Sequence, residues 1–173
     1  RATMTLAAGD NEITMKSAVN GKEVTLEAVK LAFNNDPANG VGKIADNINK
    51  YSAETGITAK AVVNSTTEAI KAGVTGADFA INGVNIGSIN VTANDSEATL
   101  LTAINNKSTE TGVTATKTTD GKLTLTSSDG RAISITGDVT GVMGKAADAM
   151  STLGHIEVVQ AGSSTFQIKG SDL

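Results

Sequence analysis

The side chains that could perform acid–base chemistry are few in this sequence. Its 173 residues contain one histidine, His155, and no cysteine or tryptophan. A general base needs a partner that orients it, and no spacing provides one for a solitary histidine at the start of a strand. The lack of cysteine removes disulfides, thiolate nucleophiles and cysteine metal ligands. We therefore predict no catalytic residues and no enzyme activity.

One glycine-rich stretch is superficially similar to a nucleotide-binding loop. Gly40 and Gly42 precede a helical pattern and follow a strand, as in a dinucleotide fingerprint. No acidic residue lies near the expected end of a later strand, and the next unit is a meander rather than a strand–helix–strand unit. We interpret the stretch as a loop and a helix N-terminus, and predict no bound cofactor.

Several acidic and amide residues lie in predicted turns, where their side chains bond to nearby backbone. A calcium loop of the EF-hand type needs acidic ligands at alternate positions, and no stretch has that pattern. We therefore predict no metal site. The turn residues are Asp36, Asn39, Asp95, Asp120 and Asp129.

Charge and composition exclude several classes of partner. The net charge is −4 and the pI about 4.9, and no basic cluster exceeds two neighbours, which excludes a nucleic-acid groove. No apolar run approaches the ~20 residues of a membrane-spanning helix, so we expect no membrane partner. Aromatic residues make up 2% of the chain, which predicts an aliphatic core.

The elements are organised around a hairpin at residues 79–86. Phe79 and Ile81 point to one side of a strand, and Asn82-Gly83 has the residue types of a two-residue type I′ turn. Val84 and Ile86 then return on the second strand. This pattern predicts a tight hairpin with one apolar face.

A helix is predicted directly after this hairpin. Asp95 or Ser96 can cap its N-terminus, and acidic residues in the first turn favour the helix dipole. Gly112 is placed to end it in a left-handed conformation. Its buried face is predicted to consist of Leu100, Leu101 and Ile104.

Strands and a further helix account for the rest of the chain. Apolar spacing predicts a helix from Val41 to the Thr55-Gly56 stop. The strands after Gly112 are predicted to form a three-stranded meander of residues 113–117, 122–126 and 131–136. A closing hairpin of residues 156–160 and 165–169 is expected to lie against the first strands. The inward residues of the meander are predicted to be Val113, Ala115, Leu123, Leu125, Ile133 and Ile135.

An internal repeat links the two helical segments. Residues 48–59 match residues 104–115 at a constant offset of 56, with eight of twelve positions identical. The shared content is a helix end, a glycine cap and an outgoing strand. The repeat predicts two related units, each with a helix packed on a sheet.

These motifs together resemble a known family. Phe-x-Ile-Asn-Gly-x-x-Ile, Ala-Ile-Asn, Thr-Gly-Val-x-Ala and Leu-x-Leu-Thr-Ser are similar to the flagellin hook IN motif, and they occur at residues 79–86, 103–105, 111–115 and 123–127. The residues that carry the resemblance, with a structural role, are Phe79, Ile81, Asn82, Gly83, Ile86, Ile104, Asn105 and Gly112.

The resemblance implies a non-catalytic structural component of the bacterial flagellar filament. It corresponds to the surface-exposed variable central region of flagellin, which is extracellular. The helical ends that polymerise flagellin have no counterpart here, so we expect this chain to be the middle piece of a longer protein. Contacts with other flagellin subunits would come through those ends, and the fragment itself is expected to be monomeric.

Serine and threonine clusters become candidate O-glycosylation sites through the same resemblance, because flagellins of this kind often carry O-linked sugars. The competing interpretation is that threonine favours strands and serine favours turns. The candidates are Ser65, Thr66, Thr67, Ser127, Ser128, Ser163 and Ser164.

We predict an α+β fold in two small lobes, each a mainly antiparallel sheet with one packed helix. The inner lobe comprises residues 1–73 plus 140–173, and the inserted outer lobe comprises residues 74–139. Two alternatives are a filament-cap or hook-associated protein and a glycan-binding adhesin module. The glycan-binding alternative is disfavoured because three of the four aromatic residues lie in apolar strand phase.

Overall fold

The computed structural model describes residues 2–17, 20–160 and 166–169. Their α-helices are α1 (Val41–Asn49), α2 (Ser52–Thr55), α3 (Thr99–Asn105), α4 (Ser108–Thr111), α5 (Thr140–Met143) and α6 (Ala147–Met150). Their strands are β1 (Ala2–Met4), β2 (Gly9–Asn11), β3 (Thr14–Ser17), β4 (Glu23–Thr25), β5 (Val29–Leu31), β6 (Ile57–Val62), β7 (Asn64–Thr66), β8 (Gly73–Val74), β9 (Ala80–Ile81), β10 (Val84–Asn85), β11 (Asn90–Val91), β12 (Val113–Lys117), β13 (Leu123–Ser127), β14 (Ile135–Thr136), β15 (His155–Gln160) and β16 (Phe166–Lys169).

Short antiparallel sheets make up the β structure of the described residues. The three-stranded orders are β1-β15-β6, β10-β9-β14, β12-β13-β7 and β16-β3-β4, and two further pairs are β11-β8 and β2-β5. Helix α1 packs on β6, and α3 packs on β12. The predicted α+β class is therefore confirmed.

The predicted hairpin turn is present. Asn82 and Gly83 have φ angles of 51° and 77°, and Ile81 pairs with Val84 across a two-residue loop. Positive φ at both central residues defines the type I′ turn, which asparagine and glycine adopt with little strain.

The core is aliphatic, as the composition predicts. All six inward residues expected for the 113–136 region are buried. Phe33 is an exception: the apolar alternation of its strand predicts a buried side chain, but the residue is 46% exposed. It lies after the end of β5, in the following loop, where its side chain borders a groove.

The predicted three-stranded meander is wrong in its third strand. Strand β13 pairs with β12 on one side and with β7 on the other, whereas β14 pairs with β9. The backbone N–H of Ser127 donates to the carbonyl of Val63 at 2.9 Å, so the chain approaching β7 already occupies that edge. Alternation of apolar residues identifies the buried face of a strand but not its neighbour.

The predicted closing hairpin is also wrong. Strand β15 lies between β1 and β6, and β16 pairs with β3. Both segments do return to early strands, but in the described residues they join different sheets. No helix in the described parts of the chain is long and apolar enough to cross a membrane.

Candidate functional site

The site with the most specific sequence signal is the hairpin of β9 and β10, together with α3 and α4. Phe79, Ile81 and Ile104 are fully buried in it, and Ile86 packs partly buried against the same core. Gly83 lies at the exposed turn. These side chains are packing groups, so the chemistry of the site is structural.

Asn82 connects three segments through its backbone and its amide. Its Nδ2 donates to the carbonyl of Thr111 at 2.8 Å, and its Oδ1 accepts from the N–H of Ser134 at 2.7 Å. Its own N–H donates to the carbonyl of Ser134 at 2.8 Å. Asparagine is required because it both tolerates the left-handed backbone and presents a donor and an acceptor.

Asp95 caps helix α3 from inside the protein. Its carboxylate accepts from the N–H groups of Leu100 and Leu101 at 3.0 and 2.9 Å, and the side chain is 0% exposed. Its carbonyl accepts from Nζ of Lys117 at 3.0 Å. The predicted capping role of Asp95 is therefore present, although Asp95 lies three positions before the Ala98 cap position.

We expect Asp95→Asn to lower the free energy of unfolding by about 2 kcal/mol, because an amide has one acceptor for two buried N–H groups and a hydrogen bond to a charged group contributes about 1.5–3 kcal/mol. Urea unfolding followed by circular dichroism measures the change. Glu97→Gln is the matched control because Glu97 is exposed in the same turn. Equal stability of the two variants would contradict the capping role.

The repeated segments have the same hydrogen-bond pattern. Asn49 pairs with the backbone of Ala59, donating at 2.9 Å and accepting at 2.7 Å. Asn105 pairs with the backbone of Ala115 in the same way, at 3.1 and 2.7 Å. Both members of the second pair, Asn105 and Ala115, lie 56 residues after their counterparts Asn49 and Ala59 in the first pair.

The glycine stops and the neighbouring threonines also match. Gly56 and Gly112 both have φ of 72° at the helix ends. The Oγ1 atoms of Thr55 and Thr111 accept from the first N–H of the outgoing strand at 3.1 and 3.0 Å. Gly112 and Asn105 are among the residues predicted to have a structural role, whereas Asn49 and the two threonines are not. Identity at the 56-residue offset was the available signal.

A turn around Asp129 and Arg131 holds neighbouring segments together. Nε of Arg131 lies 3.0 Å from Oδ1 of Asp129, and its Nη1 donates to Oδ1 of Asn35 at 2.9 Å. The hydrogen bond from Arg131, working against partial burial, lowers the pKa of the Asp129 carboxyl below its ordinary value of 3.8. Asp129 in this turn therefore forms an ion pair with Arg131.

This pair predicts a pH dependence of stability. A carboxyl with a lowered pKa in the folded state stabilises the fold fully above its unfolded value of 3.8, and the contribution is lost as pH falls through the folded pKa. Melting temperatures of the unmodified chain should therefore fall more steeply below pH 3.8 than those of Asp129→Asn. Parallel curves for the two proteins would contradict the prediction.

The glycine-rich stretch at the start of α1 is explained by close packing. A Cβ on Gly42 would lie 2.3 Å from the carbonyl oxygen of Asp129, and one on Gly40 would lie 2.3 Å from that of Gly130. The turn after β13 therefore lies against this loop. The glycines permit a backbone contact, which agrees with the interpretation as a loop and helix start.

His155 is placed on β15 beside Glu157, with 3.8 Å between Nε2 and Oε1. A single pair on a strand lacks the nucleophile, base and oxyanion donors that define an acid–base site. Among residues 2–17, 20–160 and 166–169, no group of three histidine, aspartate or glutamate side chains could hold a metal ion.

The candidate glycosylation residues differ in exposure. Thr67 and Ser127 are 1% and 7% exposed, and Ser65 and Thr66 are half-buried, whereas Ser128 is exposed. Ser163 and Ser164 lie outside the described residues. The O-glycosylation assignment stays a prediction, and Ser128 is the most accessible of the described candidates.

The segment that contains the Phe-x-Ile-Asn-Gly hairpin and the capped helix α3 matches a known family motif, the flagellin hook IN motif. The model of that motif matches residues 78–129. The chain is 36% identical to flagellin A of Helicobacter felis over 92% of its length, and 38% identical to flagellin A of Helicobacter pylori over 76%. Flagellin A of Helicobacter mustelae is 34% identical over 97% of the chain. These findings identify the chain as a flagellin segment.

The match covers only part of those relatives. The chain spans 31% of the Helicobacter felis protein, 26% of the Helicobacter pylori protein and 33% of the Helicobacter mustelae protein. The role of a whole flagellin is therefore inferred below as a proposal.

Proposed function

We propose that this chain is the surface-exposed central segment of a flagellin and acts as a structural part of the extracellular bacterial flagellar filament. The observation that carries the proposal is the hook IN motif at residues 78–129 within a chain related along most of its length to flagellins. The burial of Phe79, Ile81, Asn82 and Ile104 and the structural hydrogen bonds of Asn82 and Asn105 support a role without catalysis. The segment provides bulk and surface chemistry to a polymer.

The partners follow from this role. Other flagellin subunits assemble with the protein through regions outside this segment, and neither nucleic acid nor membrane is a partner. The isolated segment is monomeric. Because the relatives are named flagellins A and B, the filament subunit is favoured over a filament-cap or hook-associated protein.

A chimeric flagellin tests the proposal. The matching segment of Helicobacter felis flagellin A is replaced by residues 1–173 and expressed in cells that lack their own flagellins. We expect filaments and swimming to be restored, because the assembling regions remain those of the host protein. Secretion of a folded chimera that never enters filaments would contradict the proposal.

We also propose the two-lobe organisation, for which the sequence predicts an inner lobe at residues 1–73 plus 140–173 and an outer lobe at 74–139; we propose to move both boundaries outward from the predicted outer lobe. Strand β7 pairs with β13, and Ile133 forms a bridge with Thr152, so residues 64–66 and 152 lie with the outer lobe. These pairings support lobe boundaries near Val63 and Gly154. Limited proteolysis tests this organisation. Cleavage near both positions would release one stable fragment that starts near Val63.

O-glycosylation is proposed at exposed hydroxyl groups, with Ser128 as the best described candidate. Its Oγ lies 3.5 Å from the carbonyl of Gly112, so this hydroxyl is only weakly engaged. Intact-mass measurement of native protein, before and after Ser128→Ala, tests the assignment. An unmodified native mass would contradict it.

The glycan-binding alternative gains one observation. Phe33 borders a groove of about 350 Å³ that is also lined by Thr136 and Asp148. An exposed aromatic ring beside hydroxyl and carboxylate groups is one element of a sugar-binding surface. The groove is lined by a single aromatic residue, and the structural role remains the better supported function.

A further inference from the structure

Each sheet of the described residues has outer strands that pair with a neighbour on one side only, and two of these outer strands share a further feature. These strands are β6 in the order β1-β15-β6 and β12 in the order β12-β13-β7. An edge strand presents N–H and C=O groups that can pair with a strand of another molecule, and folded proteins commonly block such edges.

Asparagine side chains occupy both edges. We call Asn49 and Asn105 the edge amides, since each bonds to both the N–H and the C=O of one edge residue, Ala59 or Ala115. A carboxamide has the same donor and acceptor arrangement as a peptide group. Each edge amide therefore takes the two bonds that a neighbouring strand would form at that residue.

We propose that the edge amides close a surface on which a second copy of this chain would otherwise pair, and that they keep copies of the segment separate. This assignment goes beyond the structural role proposed above. Only its consequence in a polymer, where copies are held close together, rests on that proposed function.

The geometry favours a second copy as the partner. An antiparallel edge is complementary to itself, because the same strand of another copy can pair with it about a two-fold axis. Strand β6 has six residues. The turn at residues 128–130 lies beside its Ala61 end, whereas Asn49, which bonds to Ala59, is exposed. The amide therefore lies on the solvent side of this edge, where another molecule could approach.

The test compares Asn49→Ala with Asn106→Ala by sedimentation velocity over a wide range of protein concentrations. Asn106 is an exposed asparagine at the end of α3, so its replacement removes the same group without opening an edge. We expect Asn49→Ala to shift from monomer to dimer as concentration rises. The Asn106→Ala protein and the unmodified chain should stay monomeric.

Hydrogen exchange at the amide of Ala59 gives a second, local measurement. In dilute Asn49→Ala we expect this amide to exchange about tenfold faster, the factor expected for loss of one hydrogen bond. Protection should return at concentrations where the dimer forms. Return of protection without a change in mass would overturn the proposal.

Asn105→Ala tests the second edge independently, with the amide of Ala115 as the local probe. Circular dichroism establishes that each variant is folded. Folded monomers at every concentration for both variants would overturn the proposal. Unfolding of both variants without association would also overturn it, because the edge amides would then serve only to stabilise the fold.

Discussion

Replacing Phe79 by alanine should lower the free energy of unfolding by about 3–5 kcal/mol, the cost of deleting a fully buried phenylalanine. The ring is 0% exposed, and the backbone around it is fixed, because the Phe79 carbonyl accepts from the N–H groups of Ile86 and Gly87 at 2.9 and 3.0 Å. The surrounding hairpin cannot collapse into the cavity that the substitution creates.

Chemical denaturation followed by circular dichroism measures this loss. Phe33→Ala is the matched control, since it removes the same side chain from a position that is 46% exposed. We expect the control to lose about 1–2 kcal/mol, clearly less than Phe79→Ala, because only about half of the Phe33 side chain is withdrawn from water. Similar losses for both variants would show that Phe79 does not anchor the core.

Replacing Asn82 by alanine should lower the free energy of unfolding by about 3–5 kcal/mol. The Thr111 carbonyl and the Ser134 N–H would lose their partners, at about 1–3 kcal/mol for each buried group. Alanine would also hold a positive φ at a cost of about 1–2 kcal/mol. The loss should therefore exceed that of a surface asparagine by a wide margin.

Two further variants separate these contributions. Asn82→Asp keeps the acceptor for Ser134 but places a buried carboxylate oxygen against the Thr111 carbonyl, so we expect a loss at least as large as that of Asn82→Ala. Asn85→Ala removes a side chain of the same hairpin that makes one exposed bond, to the Ala77 carbonyl at 3.2 Å, and should be nearly neutral. Denaturation midpoints that rank in any other order would contradict the bridging role of Asn82.

Local chemistry predicted the elements of this molecule well. The Asn82-Gly83 turn and the glycine stops at residues 56 and 112 follow from backbone preferences that depend on a few neighbouring residues. The buried faces of β12 and β13 follow from period-two alternation. These features are determined within a short stretch of chain, so one sequence was enough to predict them.

Long-range pairing was harder to predict. The partner of β13 is β7, about 60 residues earlier, and nothing in the alternation of either strand specifies that choice. From sequence, Gly40 and Gly42 fit either a nucleotide-binding loop or a plain loop before a helix. The glycines are explained by close backbone contact with the turn at residues 128–130, which is distant in sequence. Such choices depend on tertiary contacts, which propensity and periodicity do not encode.

The internal repeat was predicted in part: its local structure was predicted from sequence, but its long-range contacts were not. The offset of 56 predicted two related helix ends, and Asn49 and Asn105 form equivalent bonds in the folded chain. The purpose of the asparagine was not evident from sequence, because a helix-terminal amide is also common as a simple cap. Its bonding to an edge strand required coordinates.

Antibody labelling of intact filaments tests the central claim most directly. An antibody is raised against the turn between β12 and β13, where Thr119 and Asp120 are exposed, and is applied to filaments of the chimeric flagellin. A surface-exposed central segment predicts labelling along the whole filament in electron micrographs. Intact filaments that remain unlabelled, while dissociated subunits bind the antibody, would contradict the account.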